Sequence, residues 1–265
     1  MLAQTVAEPH LPWPYAVGEL VAEFERHVRE SADPQRAVAE KAYLKSDLDF
    51  VGAGVPAVRA AVKTLIGGLD DVDHDTVCAL AEKLWRSREH ERRLAASFVL
   101  VRGSLLLSVN DAPLLERLIR ESRTWALVDV LAGDCVGVIA RDDERFGSVL
   151  DRWATDADFW VRRSALLALL PSIRLHRTEP RHPEVGQCLV RYADMMVTDP
   201  EFFIRKAIGW ALREAGKYDP DLVCNWLLRQ PLPVSAVTWR EAVKYLPDEQ
   251  RAIVEARRAD YRGAP

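Results

Sequence analysis

Trp125 and Asp129 stand four residues apart in "RESRTWALVDVLAGDCVGVIA" (Arg120–Ala140), so on a helix they share one face about a turn apart. Asp129 sits between Val128 and Val130 in a segment that is otherwise nearly all apolar. An ionised carboxylate there is costly unless it is hydrogen-bonded or has a chemical task. One reading is a buried aspartate bonded to backbone or to an arginine of the next repeat. The other is a carboxylate that stabilises positive charge or handles a proton beside an indole face, which itself attracts cations. A second indole raises a related question. In "EFFIRKAIGWALREAGKYDP" (Glu201–Pro220), Ile204, Ala207, Ile208, Ala211, Leu212 and Ala215 form one helical stripe. Trp210 falls on the opposite stripe with Lys206, Arg213 and Lys217, an arrangement that suits an anionic partner rather than a core.

Two further stretches carry candidate chemistry. In "DADFWVRRSALLALL" (Asp156–Leu170), Arg162 and Arg163 are adjacent and point about 100° apart on a helix. One can serve packing between repeats while the other faces a ligand, or both are solvated. In "YLKSDLDFVGAGVPAVRAAVK" (Tyr43–Lys63), a helix ends at a Gly-rich turn and Pro56 opens a new one. Free N–H groups at such a start suit a phosphate; a plain inter-helix turn is the alternative.

The elements that position these residues are helices. Amphipathic windows recur along the chain, broken by Pro, Gly and Asp, and strand signals are poor. "EHERRLAASFVLVR", "WVRRSALLALL", "FFIRKAIGWALRE" and "TWREAVKYL" share a basic residue followed by Ala and aliphatics at helical spacing. Arg92, Arg123, Arg162, Arg205 and Arg240 mark the units at intervals of 31, 39, 43 and 35 residues. A period near 40 is the signature of HEAT or armadillo-like repeats. The expectation is an all-α solenoid with a concave basic groove. It places a loose lead over residues 1–16, one continuous domain over 17–265, and a loop at Pro171–Gln187.

Composition narrows the function classes. The 265 residues are 49% hydrophobic and 29% charged, as in ordinary globular proteins. No apolar run reaches membrane-spanning length, and the first twenty residues lack a basic start with an apolar region, so a cytoplasmic protein is expected. Cys78, Cys135, Cys188 and Cys224 lie far apart, which suits neither a zinc knuckle nor a disulfide framework. His10, His27, His74, His90, His176 and His182 make no ligand or nucleophile motif, and no phosphate-binding glycine loop occurs. No metal, cofactor or nucleotide is therefore expected. With a net charge of −4, any nucleic-acid face must be a local concentration of the 36 Lys and Arg residues.

"YLKSDLDFVGAGVPAVR", "RTWALVDV", "FWVRRSALLAL", "EFFIRKAIGWALRE" and "REAVKYL" occur in an order and spacing that resemble the AlkD-type DNA alkylation repair glycosylases, over about Tyr43 to Leu246. The resemblance implies a HEAT-like fold and hydrolysis of the N-glycosidic bond of purines made cationic by N3 or N7 alkylation, in duplex DNA, with the lesion staying in or near the stack. It carries the catalytic aspartate to Asp129, the cleft tryptophans to Trp125 and Trp210, and the cleft arginine, a holder of phosphate and water, to Arg163. A frequent Trp-Trp pair of that family is Thr124-Trp125 here, one ring fewer. Branches of the family without the catalytic Trp and Asp only bind DNA; this chain keeps both. Arg162, Lys206, Arg213, Lys217, Lys45 and Arg240 complete the expected DNA-binding set on a monomer. The competing expectation is a non-catalytic repeat module that binds DNA or protein.

Overall fold

The computed structural model describes residues 15–67, 72–175, 184–231 and 233–263. Over these the chain is all-α; in place of strands there is one isolated bridge, between Asp49 and Glu89. No helix among the described residues is long and apolar enough to cross a membrane. Residues 1–14, most of the expected lead, lie outside the described residues, as do His10, His176 and His182. Two compact units divide the chain, Met1–Gly103 and Ser104–Pro265.

The first unit holds α1 (Tyr15–Glu30), α2 (Pro34–Leu44), α3 (Val55–Gly67), α4 (His74–Trp85) and α5 (His90–Arg102). In α1 the buried residues Val17, Val21, Phe24 and Val28 follow the helical stripe and meet the apolar faces of α3 and α4. The Asp33 side chain caps α2 by accepting from Gln35 and Arg36 N–H, and Lys45 ends that helix in the left-handed region at φ 50°. In the Gly-rich turn between α2 and α3, three consecutive N–H groups are already taken. Glu91 of α5, fully buried, accepts the N–H of Val51 (3.1 Å), Gly52 (2.7 Å) and Ala53 (3.2 Å). The expected phosphate cradle is thus filled by the chain's own carboxylate. Gly52 is required at its place: it sits at φ +83°, and a Cβ there would lie 2.0 Å from the Asp33 carbonyl oxygen.

The second unit runs through α6 (Ala112–Ser122), α7 (Trp125–Asp129), a π-helical stretch (Val130–Val136), α8 (Gly137–Asp142), α9 (Phe146–Trp153), α10 (Phe159–Leu167), α11 (Leu170–Leu175), α12 (Val185–Met196), α13 (Phe202–Ala215), α14 (Pro220–Arg229), α15 (Ala236–Ala242) and α16 (Asp248–Gly263). Pro171–Leu175 and Val185–Gln187, expected as loop, are helical, so the connection is shorter than the Pro and Gly residues suggest.

A true repeat underlies α10 and α13: "TDADFWVRR" recurs as "TDPEFFIRK" 43 residues later. Asp156 and Asp199 play the same part, accepting the N–H of Asp158 (2.8 Å) and Glu201 (2.9 Å). Each is also held by an arginine earlier in the chain, Asp156 by Arg120, 36 residues before it, and Asp199 by Arg162, 37 residues before it. Buried indoles act likewise, with Trp153 donating to Glu116 at 2.8 Å and Trp226 to Asp194 at 2.7 Å. Of the five arginines expected to mark the units, Arg162 and Arg205 are equivalent. Arg123 is not in a helix at all: it ends α6 at φ 48°.

Candidate functional site

Thr124 precedes α7 in extended backbone, which makes Trp125 the first helical residue and Asp129 the fifth, on one face. Asp129 keeps a side-chain exposure of 18%, and Trp125 is half-buried. Immediately after Asp129 the helix widens: the N–H of Gly137 reaches the carbonyl of Ala132, five residues back. Such π-turns recur at functional sites because they re-aim the preceding turn. Glycine lets α11 close in at this point; a Cβ on Gly137 would lie 2.7 Å from the Pro171 ring and 2.8 Å from the Ala168 carbonyl oxygen.

Arg163 of α10 grips Asp129 at both oxygens, Nε to Oδ1 at 2.8 Å and Nη2 to Oδ2 at 2.8 Å. Its Nη1 donates at 2.5 Å to the carbonyl of Phe203 at the start of α13. One guanidinium thereby ties three helices together and holds the carboxylate in a bidentate fork, the strongest geometry for such a pair. Arg163 is only 2% exposed, so it presents no surface to a phosphate; the expectation that it holds one is corrected, and its place is behind the carboxylate. Arg162 is corrected as well. Its guanidinium is bound to Asp199 (2.8 Å) and to the carbonyls of Asp156 and Ala157, because these acceptors recur one repeat on and at the repeat's own turn.

On α13 the predicted apolar stripe is buried throughout. Trp210 is half-buried rather than standing in water. It lies seven residues, about 10.5 Å of helix, beyond Phe203 on the same face. Lys206, between them, is exposed. The neighbouring cations are not free. Arg213 pairs with Glu241 and lies 3.7 Å from Glu214. Lys217 bonds both oxygens of Glu214, at 2.8 and 2.9 Å. Burial raises the Glu214 carboxyl, but Lys217 and Arg174 outweigh it and hold the carboxyl below its ordinary range. The uniformly basic stripe expected from spacing is therefore partly neutralised. Arg240 is exposed on α15, with Nε bonded to the carbonyl of Ala236 at 3.2 Å. Lys45 is exposed in the first unit.

Sequence reasoning passed over an aromatic cluster beside the Arg163 fork. Phe159, Trp160 and Phe203 pack together, with centroids 4.9 Å apart for Trp160 and Phe203. Phe202, 51% exposed, meets Phe203 edge-on. The repeated "FW" and "FF" at the starts of α10 and α13 were the available signal.

A helical-repeat protein with a partly open, arginine-held carboxylate one helical turn from an indole is the class that the fold and these residues define. The chain belongs to the DNA alkylation repair enzyme family, whose model matches residues 24–246. Its fold is that of a predicted DNA alkylation repair enzyme from Enterococcus faecalis, at 24% identity and TM-score 0.69, over 82% of this chain and 98% of that one. It is also that of AlkD2 from Streptococcus mutans, at 20% identity and TM-score 0.58, over 79% and 99%. Among curated proteins none matches this chain.

Proposed function

We propose that the protein is a DNA glycosylase that hydrolyses the N-glycosidic bond of N3- or N7-alkylated purines in duplex DNA, as a monomer, without a cofactor and without flipping the base. The observation that carries this reading is Asp129, a carboxylate that keeps an open flank while a buried arginine fixes both its oxygens.

An alkylated purine is cationic and leaves with the bonding electron pair, which neutralises it. Positive charge then builds on the deoxyribose before a water oxygen bonds to the anomeric carbon and loses a proton. The bidentate Arg163 pair occupies both Asp129 oxygens and pre-orients a negative charge. The geometry therefore favours electrostatic stabilisation of the sugar cation over proton removal. Trp125 and Trp210 add indole faces that attract the cationic sugar and base. Lys206 and Arg240 hold phosphates, and Lys45, exposed on the first unit, is a separate candidate phosphate contact. Arg213 and Lys217 take part only by exchanging a carboxylate for a phosphate.

Such an enzyme selects by lesion charge and lability, since no base edge is read in a pocket. The test is release of free base from DNA carrying 3-methyladenine and 7-methylguanine. Release by the parent and its loss in Asp129→Asn supports the reading. Duplex binding with no release from either lesion would make the protein a non-catalytic DNA-binding module.

A further inference from the structure

Four helices of the second unit start at equivalent places: α7 at Trp125, α10 at Phe159, α13 at Phe202 and α15 at Ala236. The fifth helical residue is then Asp129, Arg163, Lys206 and Arg240 in turn. The ninth in α13 is Trp210. In α15 the ninth falls on Lys244, in the 3-10 turn Val243–Tyr245 that continues the helix.

Contacts between α13 and α15 fix which way these residues face. Thr238 Oγ1 donates to the Arg205 carbonyl at 2.9 Å. A Cβ on Gly209 would lie 2.9 Å from the Glu241 Cβ, Arg213 pairs with Glu241, and Lys217 stands 5.3 Å from the Tyr245 ring. The partners' numbers rise together, so the two helices run parallel. At about 100° per residue, Arg205, Gly209 and Arg213 face α15 and Phe203 faces α10. Lys206 falls between those directions, away from the buried Ile204 and Ala211. On α15, Thr238 and Glu241 face α13 and Ala242 is fully buried. Lys244, two residues on through the 3-10 turn, points about 200–240° round from Ala242. Both lysines thus stand on the solvent side of one layer, and Arg240 stands beside Lys244.

Their electrostatic state differs from that of their neighbours. Lys206, Arg240 and Lys244 are exposed, and among the described residues no carboxylate pairs with them. Arg213 and Lys217 are both neutralised by Glu214 or Glu241. We infer that Lys244 is a phosphate contact: it extends the row of Lys206 and Arg240 by one helical turn and takes the phosphodiester backbone of the duplex. This rests on the proposed function. The row follows the register of the helices, whereas Arg213 and Lys217 outside it are held in internal ion pairs.

Affinity for an undamaged duplex, measured by fluorescence anisotropy across a salt series, tests it. Lys244→Ala is expected to weaken binding about threefold to tenfold at low salt and to reduce the salt slope by about one, as Lys206→Ala does. Arg213→Ala, which removes a cation already held by Glu241, changes the slope by less than half as much. If Lys206→Ala weakens binding and Lys244→Ala does not, the inference about Lys244 is wrong and the DNA reading stands. If the parent protein shows no salt-dependent affinity, both are wrong.

Discussion

Two carboxylates on helices, one in each unit, are held in opposite ways. Glu91 is fully buried and takes three backbone N–H groups of one turn. Asp129 takes one side chain, Arg163, and keeps 18% of its surface open. The first arrangement is closed: an anion-binding turn is occupied by an anion of the same chain, and what it stabilises is the turn. The second is open: charge is fixed from behind and left available in front. Partners that surround a charge close it to any other ligand, and partners on one side leave the other side accessible.

Breaking the first carboxylate has the largest expected effect on stability. Glu91→Ala leaves three N–H groups without an acceptor, and a loss of about 4 kcal/mol is expected at about 1–3 kcal/mol for each unsatisfied group with partial relaxation. Melting and chemical denaturation measure it; a change under about 1 kcal/mol would mean that the turn is not held by Glu91.

Asp129→Asn should act chiefly on chemistry. Excision of 7-methylguanine is expected to fall about a hundredfold, with duplex affinity kept. It also costs about 2 kcal/mol of stability, because the buried Arg163 charge loses its counterion. Combining it with Arg163→Met removes that charge and should recover most of the stability but none of the rate. Recovery of both would show that Asp129 is structural, like Glu91.

His90, next to Glu91, sharpens the comparison through pH. Burial against the Phe50 ring, at a centroid distance of 4.6 Å, pushes its imidazole down to about 4. The folded protein then binds fewer protons than the unfolded chain between about pH 6.5 and 4. Its stabilisation, about 3 kcal/mol, is therefore present above pH 6.5 and lost as pH falls through that window. His90→Phe should flatten the dependence of unfolding free energy on pH there. Glu214, held low on the other unit, loses its contribution only at more acid pH.

The smallest stability effect is expected at Trp210. Its indole is half-buried on the face opposite the apolar stripe, so Trp210→Ala should cost about 1 kcal/mol. Excision should still fall, more for cationic than for neutral lesions, with partial return in Trp210→Phe. A melting loss of several kcal/mol would place Trp210 with the core.

Much of this was legible in the order of residues. Helical periodicity is a local property, so the buried stripe of α13 and the all-α class follow from which residues recur every three or four places. Asp129 stood out because a charge in an apolar run demands a partner, and the core shared by "WVRRSALLALL" and "FFIRKAIGWALRE" announced equivalent helices. What local pattern did not hold was the identity of partners. Arg162 and Arg163 are neighbours of the same type, yet one meets Asp199 and turn carbonyls and the other Asp129 and the Phe203 carbonyl. Nothing within a turn of either residue distinguishes them. The glycine turn looked ready for phosphate because Glu91 lies about forty residues away along the chain, and the cations of α13 looked free because Glu241 lies on another helix. The sequence by itself determined which face of each helix is buried, since that depends on residues a few places apart. Only the tertiary structure decided which polar groups are already neutralised, because ion pairing acts over a few ångströms of space between residues that folding alone brings together.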